Sequence, residues 1–131
     1  MSERALTLDL PGADLPAAGD PVITDVIAGA LSSIDSALPG ASAQAGGALG
    51  IEAGADQVLL ILVDGLGYEL IQDHLGHTPT LRRMRDDFRS IHTVVPSTTA
   101  AAITAFGTGA RPGATNMVGF SVAYGGGVMN L

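Results

Sequence analysis

A chain of 131 residues is long enough for one modest domain with its own core, without disulfides or a structural metal. It has no cysteine, which excludes a disulfide framework and a thiolate metal site and suits a reducing cytoplasm. A net charge of -7, with six arginines and no lysine, argues against a nucleic-acid partner. No apolar segment follows Met1-Ser2-Glu3-Arg4, and the longest hydrophobic run, Val58 to Val63, is far too short to span a bilayer. The expectation is a soluble, cytoplasmic protein with no membrane partner.

Residues 1–20 are rich in Pro, Gly and Asp and are expected to lie extended on the surface. From Pro21 onward, Val22, Ile23, Val26, Ile27, Ala30, Leu31, Ile34 and Leu38 share one helical face. Asp20 is placed to cap that helix, Pro21 to open it and Pro39-Gly40 to end it. Residues 41–56 are almost wholly Ala, Gly, Ser and Gln and read as a linker or a poorly ordered loop. The chain thus divides into an extension, 1–56, and an α/β part, 57–131.

Gln57 and the continuous apolar run Val58–Val63 predict a central parallel strand buried on both faces. Asp64-Gly65-Leu66-Gly67 interrupts it, and helical spacing resumes from Tyr68 to His74. Gly76 ends that helix, and Thr78-Pro79 opens a short one through Arg85. The cluster Arg82, Arg83, Arg85 and Arg89, interrupted by Asp86 and Asp87, reads as a solvated helix end. A second strand is expected from Ser90 to Val95, then a helix from Ala100 to Phe106 opened by Ser97-Thr98-Thr99, then a loop from Gly107 to Gly113. Met117–Ala123 and Val128–Leu131 read as short strands joined by Gly125-Gly126-Gly127. The order strand, helix, strand, helix makes a right-handed βαβ unit the default.

In open α/β sheets, ligands bind beyond the carboxyl ends of the strands. Asp64 stands at one such end, directly after six apolar residues, where an unpaired charge is costly. It is either a metal ligand or the acceptor of an Asx turn. Ser97, Thr98 and Thr99 stand at the other end, ahead of a helix whose N-terminus favours an anion or a developing alkoxide. Helix capping explains such hydroxyls equally well. The two ends together are what suggest chemistry, because a single metal shared by them would activate a hydroxyl and stabilise a transferring phosphoryl group. His74 and His77 read as helix-end or solvent residues, and His92 as a core or edge residue. Gly65-Leu66-Gly67 opens a dinucleotide fingerprint, but Leu70 stands where its third glycine belongs.

These residues resemble a known family. Val58 to Gly65, followed by Thr78-Pro79-Thr80-Leu81, is similar to the first strand and following helices of type I phosphodiesterases and nucleotide pyrophosphatases. Val95-Pro96-Ser97-Thr98-Thr99, running on to Thr108-Gly109, resembles their nucleophile strand-turn-helix, and Arg111-Pro112-Gly113 through Val118-Gly119-Phe120 their next loop and strand. The resemblance implies a partial alkaline-phosphatase-like three-layer α/β fold with a mainly parallel sheet. It implies that Asp64 is a metal ligand, and that Thr99 is both nucleophile and ligand of the same metal. It further implies a divalent metal cofactor, two zinc ions in the complete enzyme, and a small phosphate-ester or nucleotide substrate.

Three positions depart from the family pattern. Ala102 stands where an Asn usually donates to a phosphate oxygen, Thr115 where a His is usual, and Asn116 where a Gly is usual. Asn also tolerates positive φ, so the last change is conservative for the backbone. After His92 the chain has no His, Asp or Glu, although the family's remaining metal ligands lie later in its sequence. The expectation is therefore an incomplete part of a phosphoryl-transfer hydrolase. The other readings are a non-catalytic α/β module that binds a phosphorylated ligand, or an inactive fragment. Oligomeric state is left open.

Overall fold

The computed structural model describes residues 16–130. Residues 1–15, most of the stretch expected to be extended, lie outside that range, as does Leu131. The first helix, α1, runs Asp25–Ile34, shorter than the apolar periodicity suggests. Its start is displaced because Pro21–Ile23 is engaged elsewhere. Ile23 donates its N–H to the His92 carbonyl at 2.8 Å, and His92 donates to the Pro21 carbonyl at 3.0 Å. These two bonds form a single parallel bridge between Val22 and His92. Asp20, expected as the cap, instead accepts from the Ala17 N–H at 2.7 Å, while the Asp25 carboxylate accepts from Val22 N–H at 3.1 Å. At the other end Asp35 turns to extended backbone and accepts from Ala37 N–H at 2.8 Å, an Asx turn that stops the helix before Pro39.

The stretch read as a linker contains a second helix, α2, Ala43–Leu49. Ser42 caps it by accepting from Ala45 N–H at 3.2 Å, and Gly50, at φ 68°, ends it in the left-handed conformation. Its glycines hid a helix whose ends are both well specified. It packs on α1 closely enough that a β-carbon at Gly29 would lie 3.0 Å from the Gly46 nitrogen, and one at Gly46 would lie 2.8 Å from Ser32 Oγ. The buried residues of this contact are Gly29, Ala30 and Ser33 on α1 with Ala45 and Gly46 on α2.

Beyond the loop at 50–56, the strand expected at 57–63 does not form. The segment has no backbone hydrogen bond to any neighbour among the described residues. Leu59 is 83% and Ile61 77% exposed. A strand buried on both faces needs a paired neighbour on its edges and helices above and below it. None of the described residues supplies these, so strand-forming composition alone leaves the run extended and open. The second expected strand, 90–95, likewise makes only the His92 bridge. The mainly parallel sheet is therefore absent among the described residues.

The helices that follow match the sequence more closely. Helix α3 spans Tyr68–Asp73 and α4 Pro79–Arg83, with short 3₁₀ turns at Leu75–His77 and Arg85–Asp87. Helix α5 spans Thr99–Thr108 and ends at Gly109 in the left-handed region. Part of the expected loop is a one-turn helix, α6, Pro112–Thr115, closed by Asn116 at φ 58°. The chain finishes in an antiparallel hairpin, β1 Ser121–Tyr124 and β2 Gly127–Asn130, with Tyr124 opposite Gly127. The small core of this half joins Val94 to Ala101 and Ala105 of α5, with Ile23 and Ala102 packed against it. The described structure is thus a small α/β arrangement of helices and one two-stranded antiparallel sheet. No helix among the described residues is long and apolar enough to cross a membrane.

Candidate active site

Helix α5 is held at its start by Thr98. Its hydroxyl accepts from Ala101 N–H at 3.3 Å and donates to the Val118 carbonyl at 3.0 Å, while its carbonyl accepts from Ala102 N–H at 2.9 Å. Thr98 is therefore the N-cap, fully committed to the helix end and to the loop at Val118. Thr99, the first helical residue, is half-buried, and its hydroxyl has no hydrogen-bond partner among the described residues. The sequence alone could not separate these hydroxyls. The structure gives the capping duty to Thr98 and leaves Thr99 chemically available.

Both Thr99 and Ser97 line an open cleft of about 720 Å³, and Asp64 lines it as well. Asp64 sits on a tight turn whose next residue, Gly65, has φ 71°, a conformation that favours glycine. The Asp64 carboxylate accepts no hydrogen bond among the described residues, so the Asx turn considered for it does not form, in contrast to Asp35. Gly67 turns the chain back into α3 at extended φ and ψ, bringing Tyr68 and Ile71 to the cleft wall. Asp64 and Thr99 thus face one space, but not from the carboxyl edge of a parallel sheet, since no such sheet is present among the described residues.

The rest of the lining is largely apolar, with Ile23, Leu62, Phe88 and Ile103 among it, plus Arg89 and His92. His92 faces Asp20, with Nε2 3.7 Å from Oδ2, and its backbone holds the bridge to Val22. Ala102 presents a methyl group to the cleft where the resemblance leads one to expect an amide. Thr115, at the position of a usual His, is occupied locally. Its hydroxyl accepts from Met117 N–H at 3.3 Å and donates to the Pro112 carbonyl at 3.4 Å. His74 and His77 stay away from the cleft, His74 with Nδ1 2.9 Å from the Leu70 carbonyl oxygen.

A zinc site needs about four ligands. Among the described residues, no three of His, Cys, Asp or Glu gather where they could hold a metal. Asp64 and Thr99 are two ligand side chains, with three oxygens at most. By themselves these residues do not fit a complete metal centre.

Sequence reasoning missed Arg89 as part of the cleft, because it ends a run of arginines and aspartates typical of a solvated helix end. What distinguished it was position: Arg89 follows the acidic pair rather than sitting within the run, and it enters the segment that carries His92 and Val94.

Comparison with known proteins adds one finding. The family model described as type I phosphodiesterase / nucleotide pyrophosphatase matches residues 58–125, just over half of the chain. No curated protein and no solved structure matches the chain. The matched segment begins at the apolar run and includes Asp64, Arg89, Thr99 and the loop through Val118.

Proposed function

Since the chain belongs to the type I phosphodiesterase / nucleotide pyrophosphatase family, we propose that it supplies part of a phosphoryl-transfer site in which Thr99 is the nucleophile. The observation that carries this reading is the division of labour at the start of α5. Thr98 caps the helix, and the neighbouring Thr99 hydroxyl is unpartnered among the described residues and shares a cleft with Asp64. The positive end of the helix favours charge developing on that oxygen and on a bound phosphate. In the reaction, Thr99 Oγ1 bonds to phosphorus as the ester's leaving oxygen departs, and the hydroxyl proton passes to solvent. Water then breaks the phosphorus–Thr99 bond and restores the hydroxyl.

Asp64 and Thr99 would be two ligands of a divalent metal, zinc by the resemblance, whose other ligands come from polypeptide outside these residues. The substrate class is a small phosphate ester or nucleotide. The cysteine-free composition supports a cytoplasmic setting.

The test is to graft residues 57–131 in place of the matching segment of an active family member and assay a nitrophenyl phosphodiester. The hybrid should turn over, Thr99→Ala should abolish turnover, and a covalent phosphothreonine should be trapped on Thr99. A dead Thr98→Ala variant, or a trapped adduct on Ser97, would show that another hydroxyl does the chemistry.

A second reading, a module that binds a phosphorylated ligand without turning it over, is favoured by one observation: no group of metal ligands is complete among the described residues. The same hybrid separates the two, because ligand binding without turnover would support the module.

A further inference from the structure

The cleft has an electrostatic deficit for the ligand proposed for it. It already contains the Asp64 carboxylate, and a phosphate ester brings further negative charge. Among its lining residues Arg89 is the one that is always cationic. His92, the other basic residue there, faces Asp20. Arg82, Arg83, Arg85 and Arg111 do not line the cleft, and Arg85 is engaged with Asp86 at 3.4 Å. Arg89 itself has no ion pair or side-chain hydrogen bond among the described residues.

Its guanidinium nevertheless has one close neighbour that leaves room for it. The guanidinium lies directly over Gly50, the left-handed residue that ends α2. A β-carbon at Gly50 would collide with Arg89 Nε and lie 2.7 Å from one terminal nitrogen and 2.8 Å from Cζ. Only a glycine leaves that space open. The carboxyl end of a helix also favours a cation nearby. An exposed arginine that has no counter-ion, lies on a bare backbone and borders a cleft is poised to meet an anion from solution.

We propose that Arg89 is the anion-contacting residue of the cleft, supplying the donor to phosphate oxygens that Ala102 lacks, with Gly50 as its positioning residue. The inference rests on the phosphoryl-transfer reading of the same cleft. The planar guanidinium offers paired N–H donors that match two phosphate oxygens, which an ammonium does not reproduce.

The test is calorimetric titration of the 131-residue chain with inorganic pyrophosphate, with no metal added. Arg89→Gln should weaken binding by about tenfold or more, as expected for loss of charge-assisted hydrogen bonds. Arg89→Lys should recover only part of it, and Arg82→Gln should change it less than about twofold, a screened surface effect. Gly50→Ala should weaken binding in the parent and have no further effect in the Arg89→Gln background. Gly50→Asn, which tolerates positive φ but still carries a β-carbon, separates displacement of Arg89 from backbone strain. Binding by Arg89→Gln equal to that of the parent, including no binding by either, would overturn the proposal. Arg89-dependent binding in a hybrid that forms no phosphothreonine would sink the catalytic reading alone. Thr99-dependent turnover indifferent to Arg89→Gln would sink this one alone.

Discussion

Thr98 and Thr99 are neighbours with the same side chain, and what separates them is which hydroxyl the helix consumes. Thr98 accepts from Ala101 N–H and donates to the Val118 carbonyl, so Thr98→Ala removes both the cap and a tie to the following loop. Urea denaturation of the isolated chain should show a loss of about 0.5–2 kcal/mol for Thr98→Ala, the usual cost of an N-cap. Thr99→Ala should stay within about 0.5 kcal/mol of the parent, because its hydroxyl bonds to no described residue. Equal losses for the two variants would mean that Thr99 also serves the helix. At this scale the sequence was legible in type and silent in assignment. It placed hydroxyls at a helix start and a carboxylate ahead of Gly65, and it allowed positive φ at Asn116, which the structure has. It could not say which hydroxyl caps, because a cap is chosen by the φ and ψ of one residue and not by its chemistry. Arg89 was harder to read: its position after the acidic pair was the one local signal, and its neighbour Gly50 is distant in sequence.

Elements defined by their own ends were readable, and elements defined by partners were not. Helices α3, α4 and α5 begin within a residue of where the sequence opens them, although α3 ends at Asp73, ahead of the expected Gly76, and the β1–β2 hairpin is set by the two glycines between its strands, both at positive φ. Helix α2 carries local signals too, but its glycine content disguised them. The run 58–63 has the composition of an interior strand, yet a strand is a relation between segments, and no described segment takes the other half. Its exposed backbone and side chains form an open template for pairing with another chain. The isolated protein should therefore self-associate with concentration. Replacing Leu59 and Ile61 together by Lys should reduce the sedimenting oligomer without lowering the denaturation midpoint, because both side chains are mainly exposed. Hydrogen exchange should agree, with amides of 58–63 exchanging at once and those inside α5 protected. Association unchanged by the double substitution would place the contact elsewhere on the surface.

Taken whole, the chain has a thin interior. Its buried hydrophobic residues among those described are Ala30, Ala45, Val94, Ala101 and Ala105, mostly small side chains that remove little surface from water. The family's sheet would bury far more, and it is absent among the described residues. The same shortage appears at the cleft, where Asp64 and Thr99 are the candidate metal ligands, and no three of His, Cys, Asp or Glu gather anywhere among the described residues. The purified 131-residue chain should accordingly show negligible hydrolysis of a nitrophenyl phosphodiester even with added zinc. Robust, chelator-sensitive turnover would mean that His74, His77 or His92 completes a centre after rearrangement. Where α1 meets α2, the contact is made by backbone, with Gly29 against Gly46. This inverts how tolerance to substitution should be distributed. In a saturation library selected for folded chains, the bulky residues Leu59 and Ile61 should accept most replacements. Gly29 should accept almost none, although alanine normally improves a helix there by about 1 kcal/mol. Gly46 should admit at most alanine, since its neighbour is a serine hydroxyl able to turn aside, whereas Gly29 meets main chain that cannot. The least replaceable positions of this molecule would then be ones with no side chain at all.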